Sequence, residues 1–260
     1  MAFFATLASG SSGNAALISD GKTHILIDAG VTCKRLCAAI REYSIDPGDI
    51  SAVLITHDHC DHIAGLDVFS KYYGVPIYAS YGTCRYIKKL PRAARRLCPI
   101  DNAALSFGGV DVTVFETSHD SEGSVGFRFD VGGHSVGYFT DSGRITSSAR
   151  KALDGVEILA VESNYDRHML VTGDYPYHLQ RRIMSQTGHL SNDACAEYCA
   201  EMLDNGVRRM ILAHLSENNN TPDTALTAVL NVLSGHGAVE GRDFTLTVAP
   251  RHEAGRPELF

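Results

Sequence analysis

The chain of 260 residues contains 44% hydrophobic and 20% charged residues, values close to those of an average globular protein. No run reaches the roughly 18 apolar residues of a membrane-spanning helix, and the first residues lack the basic stretch of a signal peptide, so we expect a cytoplasmic protein. The net charge of −7 argues against indiscriminate binding to nucleic acids, and a polyanionic partner would need a local basic surface. The seven cysteines form no Cys-x-x-Cys pair, and we expect them to be reduced packing residues.

Short apolar segments recur along the chain, and many are rich in β-branched residues and bounded by Gly, Asp, Asn or Pro. We predict strands in the ranges 3–9, 15–19, 24–30, 51–57, 75–80, 110–118, 126–131, 135–141, 156–163, 209–216 and 244–250. Helical spacing of apolar residues predicts helices over 61–73, 192–204 and 222–234, and Ser191 or Asn192 can cap the second. This mixture of strands and helices predicts an α/β protein whose sheets are covered by helices.

Residues able to bind metal ions lie just after four of the strand-like runs. These residues are His57, His119, Asp141 and His214. Because sites in α/β folds gather at the carboxyl ends of strands, their positions predict one shared site.

The segment 54–65, LITHDHCDHIAG, places three histidines and two aspartates within six positions. His57 and His59 are predicted to point the same way at a strand end, and Asp61 and His62 to follow in the next turn and helix start. Imidazole and carboxylate ligands suit zinc, manganese or iron. Two close pairs of ligands on one loop exceed the need of a single ion, so we predict two divalent metal ions, Zn²⁺ or Mn²⁺.

The Thr-His-x-His-x-Asp-His pattern is accompanied by ILIDAG (25–30), TSHD (117–120), FTDSG (139–143) and ILAHLS (211–216). In this combination the sequence resembles the metallo-β-lactamase-fold hydrolases over nearly its whole length. The resemblance implies a single domain over residues 1–260, built as a four-layer αββα sandwich of two mixed sheets flanked by helices.

The resemblance also implies a ligand set, position by position. His57, His59 and His119 would hold the first ion. Asp61, His62 and His214 would hold the second, and Asp141 would bridge both. An aspartate at the position of Asp28 braces the metal loop in this fold.

Four further stretches, 7–15, 161–166, 172–183 and 188–197, resemble the YycJ/WalJ/VicX group of bacterial exonucleases of this fold. Tyr165 departs from the group, in which we expect histidine. The resemblance implies a 5′-to-3′ DNA exonuclease in which a metal-bound hydroxide attacks phosphorus. It favours DNA over RNA as partner and gives no indication of a membrane or an obligate protein partner. A small-molecule phosphodiesterase or other hydrolase of this fold, and an RNase Z-like RNA nuclease, remain as alternatives.

His189 precedes the capped helix 192–204, whose first N–H groups favour phosphate. We predict that Asp61 and His189 are catalytic, with His189 as general acid or phosphate contact; a structural histidine beside the helix is the competing interpretation. The predicted substrate contacts are Ser11, Ser12, Asn14, Asn164, His178 and Arg181, and either Arg181 or Arg182 could follow the phosphate backbone.

The segment 88–96, KKLPRAARR, carries five basic residues and no acidic one. It is either a weaker candidate for tracking a phosphate backbone or a solvated helix flank.

Overall fold

Two β-sheets pack against each other in the computed structural model, which describes residues 1–100 and 104–260. Among these residues each sheet has seven strands. In spatial order the first sheet consists of β14 (Glu258–Leu259), β1 (Phe3–Ala8), β2 (Ala15–Ser19), β3 (His24–Ile27), β4 (Ile50–Ile55), β5 (Ile77–Ala79) and β6 (Leu97–Pro99). The second consists of β13 (Thr245–Val248), β12 (Arg209–Ala213), β11 (Ile158–Glu162), β10 (His134–Phe139), β9 (Val125–Val131), β8 (Val110–Glu116) and β7 (Ala104–Phe107).

Both sheets are mixed. Strands β14, β1, β2 and β3 pair antiparallel, and β3 to β6 pair parallel. In the second sheet β7 to β10 pair antiparallel and β10 to β13 pair parallel. The parallel strands bring several carboxyl ends to one edge of each sheet, and the site is built at these edges.

The layer between the sheets is apolar. Ile25 and Ile27 of the first sheet pack there with Phe127 and Ile211 of the second, whereas Leu26 faces the opposite side of its sheet. This alternation follows from the period of two in a strand. Because both faces of these strands are covered, their sequences are apolar at nearly every position.

Helices cover the two outer faces. Their bounds are α1 (Cys33–Glu42), α2 (Cys60–Ile63), α3 (Leu66–Tyr73), α4 (Tyr81–Ile87), α5 (Ser147–Leu153), α6 (Arg167–Thr172), α7 (Tyr177–Ile183), α8 (Asn192–Asp204) and α9 (Pro222–Gly235). Leu36 of α1 and Phe69 of α3 pack on the first sheet, and Cys195 of α8 and Val229 of α9 pack on the second. The predicted four-layer αββα architecture is confirmed. None of the helices in the described part of the chain is both long and apolar enough to cross a lipid bilayer.

The predicted helix 192–204 is confirmed, and Ser191 caps it by accepting a hydrogen bond from the Ala194 N–H (3.2 Å). The predicted helix 61–73 is wrong as one element, since it forms two helices, α2 and α3. The chain breaks at Gly65, where an added Cβ would lie 2.1 Å from the Val31 carbonyl oxygen. This close backbone approach fixes the segment 57–65, which follows β4, against the turn after β3.

We expect Phe127→Ala to lower the free energy of unfolding by about 3–5 kcal/mol, because the ring is fully buried between the sheets. Val239→Ala, at a side chain that is 47% exposed, serves as the control and should change it by less than about 0.5 kcal/mol. Urea unfolding followed by circular dichroism measures both. Equal stability of the two variants would contradict the packing described.

Candidate active site

Three residues at the site adopt left-handed backbone conformations that only glycine adopts readily. They are Asp28 after β3, Asp141 after β10 and His214 after β12, with φ of 58°, 55° and 56°. Such conformations cost about 1–3 kcal/mol each and persist only where the surrounding structure enforces them. Each of these residues places its polar side chain at the carboxyl end of a strand. Because β3 belongs to the first sheet and β10 and β12 belong to the second, the two sheets together form one polar site.

Three histidines form the first group of candidate ligands. His57 and His59 lie on the loop after β4, and His119 lies on the loop after β8. The His119 Nε2 lies 3.1 Å from the His59 Nδ1, and the rings of His57 and His119 are 4.9 Å apart between centroids. The buried His57 Nε2 has no hydrogen-bond partner among the described residues. Such an unpartnered buried nitrogen, with two more imidazoles beside it, fits the binding of a divalent cation.

Asp61, His62 and His214 form a second group. The Asp61 Oδ2 lies 3.4 Å from the His214 Nε2 and 3.5 Å from the His62 Nε2. Asp141 lies between the groups, with one carboxylate oxygen 3.2 Å from the His62 Nε2 and the other 3.7 Å from the His119 Nε2. The structure thus brings together all seven sequence-predicted ligands. Two groups of candidate ligands among the described residues match those that the resemblance implied, and Asp141 also groups with His57 and His62 and, separately, with Glu162, His189 and His214.

Burial lowers the pKa of His57 and of His119, and the positive charge that neighbouring imidazoles would carry lowers both further. Both imidazoles are therefore neutral over a wider pH range than an exposed histidine. Neutral imidazole is the form that binds a metal ion. The electrostatics of the first group therefore also fit a cation site.

Hydrogen bonds at Nδ1 orient several of these histidines. The His62 Nδ1–H donates to Asp28 (2.7 Å), whose carboxylate also accepts from the backbone N–H and the hydroxyl of Thr56. The His119 Nδ1–H donates to the Gly188 carbonyl (3.0 Å). In each ring Nε2 is left as the nitrogen that faces the site, and this arrangement fixes the tautomer of a ligand. The contacts of Asp28 match the bracing position implied by the resemblance.

Glu162, at the end of β11, is a functional residue that the sequence reasoning missed. Its Oε1 accepts hydrogen bonds from the Nδ1–H of both His189 (2.7 Å) and His214 (2.9 Å). Its Oε2 accepts from the backbone N–H groups of Ser142 (3.0 Å) and Leu190 (3.1 Å). One fully buried carboxylate therefore orients a candidate metal ligand and the candidate general acid together.

Although burial alone raises the pKa of Glu162, the charge of His189 and the hydrogen bonds from both histidines lower it below its usual value. The carboxylate form is thus favoured, which suits its role as a double acceptor. A signal was present in the sequence. The range 156–163 is an apolar strand with a carboxylate near its carboxyl end, one residue before the position that carries Asp141 and His214 on neighbouring strands.

A cleft of about 220 Å³ opens onto these groups. Its lining includes His59, Asp61, Asp141, His189 and His214 from the polar site. The remaining walls come from the residues Ser11, Asn164, Tyr175, Leu179, Arg182, Ile183 and Ser216. His189 is positioned to reach a molecule in the cleft.

The predicted substrate contacts fall into two sets. Ser11 and Asn164 line the cleft, and Ser12 is exposed beside Ser11. The expectation for Asn14 is wrong: the side chain is fully buried, exchanges hydrogen bonds with the backbone of Gly10 and donates to the Asp61 carboxylate (3.2 Å). Asn14 has no surface left for substrate, and it instead ties the loop after β1 to the candidate metal site.

The residues of α7 that line the cleft also differ from the predicted contacts. His178 and Arg181 are exposed and do not line the cleft, and Arg181 lies over the Tyr177 ring instead. The helical period places Leu179, Arg182 and Ile183 toward the cleft because positions three and four apart share a face. The contact expected of Arg181 is thus available to Arg182.

Arg182 pairs with Asp120 across the mouth of the cleft, with 2.5 Å between Nε and Oδ2. The other oxygen of Asp120 lies 3.5 Å from the His59 Nε2. This ion pair lowers the pKa of the Asp120 carboxyl although burial opposes the shift. A phosphate entering the cleft would compete with Asp120 for the guanidinium.

A family model described as "Beta-lactamase superfamily domain" matches residues 23–215. The chain is 32% identical to Exodeoxyribonuclease WalJ of Streptococcus pneumoniae serotype 2, over 93% of this chain and 91% of that protein. It is 31% identical to Exodeoxyribonuclease YycJ of Bacillus anthracis, over 94% of this chain and 93% of that protein. These relatives confirm the resemblance drawn from the sequence motifs.

The fold is similar to that of solved structures. The metallo-beta-lactamase fold protein YhfI from Bacillus subtilis superposes with a TM-score of 0.73 at 18% identity, covering 98% of this chain and 99% of that one. A diphosphatase from the PhnP family gives a TM-score of 0.66 at 20% identity, covering 98% of each chain. At these identities the similarity concerns the fold alone.

We expect Glu162→Gln to weaken metal binding and phosphodiester hydrolysis by about 10–100-fold, because an amide cannot accept from all four N–H donors around it. Glu157→Gln, a half-exposed carboxylate just before the same strand, is the control and should leave both unchanged. Elemental analysis after dialysis and turnover of a generic phosphodiester measure the effect. Unaltered metal binding in Glu162→Gln would show that this carboxylate does not orient the site.

Proposed function

The chain belongs to the beta-lactamase superfamily, and from this membership and the geometry of the cleft we propose that it is a dinuclear-metal exodeoxyribonuclease. It would release nucleotides from the 5′ end of DNA. The observation that carries the proposal is the convergence of seven candidate ligands beside His189, whose Nδ1 is hydrogen-bonded to Glu162. The two exodeoxyribonuclease relatives, aligned over more than nine-tenths of this chain, support DNA as the substrate.

The proposed cofactors are two divalent cations, Zn²⁺ or Mn²⁺. His57, His59 and His119 would hold the first, and Asp61, His62 and His214 the second, with Asp141 shared between them. Divalent cations in such a pair supply an activated water molecule near neutral pH and neutralise charge on a phosphate. The unpartnered His57 Nε2 and the lowered pKa of both His57 and His119 support this assignment.

His189 is the proposed general acid. Its Nδ1–H is held by Glu162, and so its Nε2 is the nitrogen available to protonate the oxygen that leaves phosphorus. Asp61 is the second proposed catalytic residue, since its carboxylate reaches the cleft and can accept a hydrogen bond from an attacking water molecule.

The end of a DNA strand would occupy the cleft. Ser11 and Ser12 would bind the terminal phosphate. Arg182 would leave Asp120 and bind a backbone phosphate, and Asn164 would contact the strand from the wall of the cleft. Tyr175 offers its ring to a nucleobase, and its hydroxyl accepts a hydrogen bond from the Asn218 side chain (2.9 Å). Because the cleft is small, it favours the end of a DNA strand, which would enter one nucleotide at a time.

We also propose that residues 1–260 act as a single domain, because both sheets share one apolar layer and both supply candidate ligands.

The small volume of the cleft also fits a low-molecular-weight phosphodiester, which remains the second candidate substrate. A nuclease that contacts several phosphates loses affinity steeply as salt rises, whereas hydrolysis of a small ester does not.

We expect Asp141→Asn to reduce hydrolysis at least 10³-fold, because one carboxylate serves both groups of ligands. Asp111→Asn, exposed on β8, is the matched control. The assay offers 5′-labelled single- and double-stranded DNA, RNA and a generic phosphodiester to protein loaded with Zn²⁺ or Mn²⁺. Release of labelled mononucleotide at the earliest times supports the proposal. Turnover confined to RNA or to the small ester, or full activity of Asp141→Asn, would refute it.

We expect Tyr175→Ala to raise KM for DNA about tenfold with little change in kcat, because stacking on one base contributes about 1–3 kcal/mol. Tyr177→Ala, two residues along the chain and 72% exposed, should leave KM unchanged. Initial rates on single-stranded DNA test the pair. Equal KM values for the two variants would contradict a stacking role for Tyr175.

A further inference from the structure

The segment 68–100 contains seven basic residues and no acidic one, in a chain whose net charge is −7. The basic residues are Lys71, Arg85, Lys88, Lys89, Arg92, Arg95 and Arg96. They lie on the outer side of the first sheet, near the end of α3, in α4 and directly after it, and at the 3₁₀ turn Ala93–Arg96. Cations that are dispersed elsewhere in the chain are concentrated here.

Most of these charges are exposed and unpaired. Arg85 pairs with Glu122, and Arg92 pairs with Asp67 (2.9 Å). The other five side chains, Lys71, Lys88, Lys89, Arg95 and Arg96, are exposed and form no ion pair with an acid in residues 1–100 or 104–260. A cluster that serves only to stabilise the fold would be expected to contain the partners that neutralise it.

Two exposed aromatic rings lie among these cations. Tyr72 is 65% exposed with the Lys71 ammonium 5.2 Å from its ring centroid, and Tyr86 is 42% exposed with the Lys89 ammonium at 4.9 Å. Phosphate-binding cations interleaved with aromatic rings that can stack on bases are typical of surfaces that bind single-stranded nucleic acid. We call Lys71, Tyr72, Tyr86, Lys88, Lys89 and Arg95 the basic surface.

The basic surface lies toward the amino ends of β5 and β6, at the opposite edge of the first sheet from the loop that carries His57, and α4 connects the two edges. Strands β4 and β5 are parallel, so α4 begins at the same sheet edge as the loop that carries His57. The first turn of α4 touches the loop after His119: an added Cβ on Gly82 would lie 2.1 Å from the Glu122 carbonyl oxygen. From there α4 runs about 10 Å to Lys88, a distance of about three nucleotides at 3.4 Å per step of one strand.

We propose that the basic surface binds the backbone and bases of the DNA strand beyond the nucleotide that occupies the cleft. This inference rests on the proposed function and adds to it a second binding region. Because the rest of the chain is acidic and repels DNA, a local basic surface at the far end of α4 from the site would select how the strand approaches. It would also favour long strands over very short ones.

The test compares Lys88→Ala/Lys89→Ala with the control Lys22→Ala/Lys151→Ala, which removes two exposed lysines from other faces. Fluorescence anisotropy measures binding of phosphorothioate oligonucleotides, which resist hydrolysis, of about 4 and about 20 nucleotides by the metal-loaded proteins. We expect the test variant to bind the longer strand about tenfold more weakly, with a salt slope shallower by about 1.4. Binding of the shorter strand and turnover of a generic phosphodiester should match those of the control.

Equal affinity of the two double variants for the longer strand would overturn the proposal. It would also be overturned if the protein bound vesicles containing phosphatidylserine through these lysines but did not bind DNA. A protein that hydrolyses no DNA, yet loses binding of the longer strand in the test variant alone, would support the basic surface while refuting the proposed exonuclease.

Discussion

Two buried carboxylates, one from each sheet, determine how the histidines of the site are presented. Asp28 holds the Nδ1–H of His62, and Glu162 holds the Nδ1–H of both His189 and His214. Each carboxylate also accepts backbone N–H groups, which fix it in turn. Because a charged hydrogen bond in a low-dielectric interior is strong, these contacts fix the three rings, and the Nε2 atoms of His62 and His214 both lie within 3.5 Å of the Asp61 carboxylate.

The free-energy cost of burying and straining these groups is offset by packing elsewhere in the fold. The site buries several carboxylates and imidazoles and holds Asp28, Asp141 and His214 in left-handed conformations. Such groups destabilise a folded chain unless the surroundings leave no alternative geometry. The apolar layer between the sheets and the covering helices supply that constraint, since each strained residue directly follows a strand packed on both faces.

The cleft and the basic surface carry opposite charges, which suit the different roles proposed for them. The cleft is rich in acids and imidazoles, which suits cations and proton transfer but repels a polyanion. The exposed lysines and tyrosines at the end of α3 and at the end of α4 carry the opposite charge, toward the amino ends of β5 and β6 and away from the sheet edge that carries the site. Under the proposed function, an acidic protein would bind DNA at this surface and not over its whole surface.

The sequence by itself determined the α/β class, because this depends on local patterns. The family followed from short motifs, and the four-layer architecture and the candidate ligand set were implied by the resemblance to that family. Strand and helix periods, and histidines and aspartates directly after strands, can be recognised without knowing which elements touch. Only the tertiary structure decided that Asn14 is buried, that Arg182 rather than Arg181 faces the cleft, and that Glu162 joins two histidines. These outcomes depend on the rotation of a helix about its axis and on contacts between residues distant in the chain, and local residue patterns do not specify either.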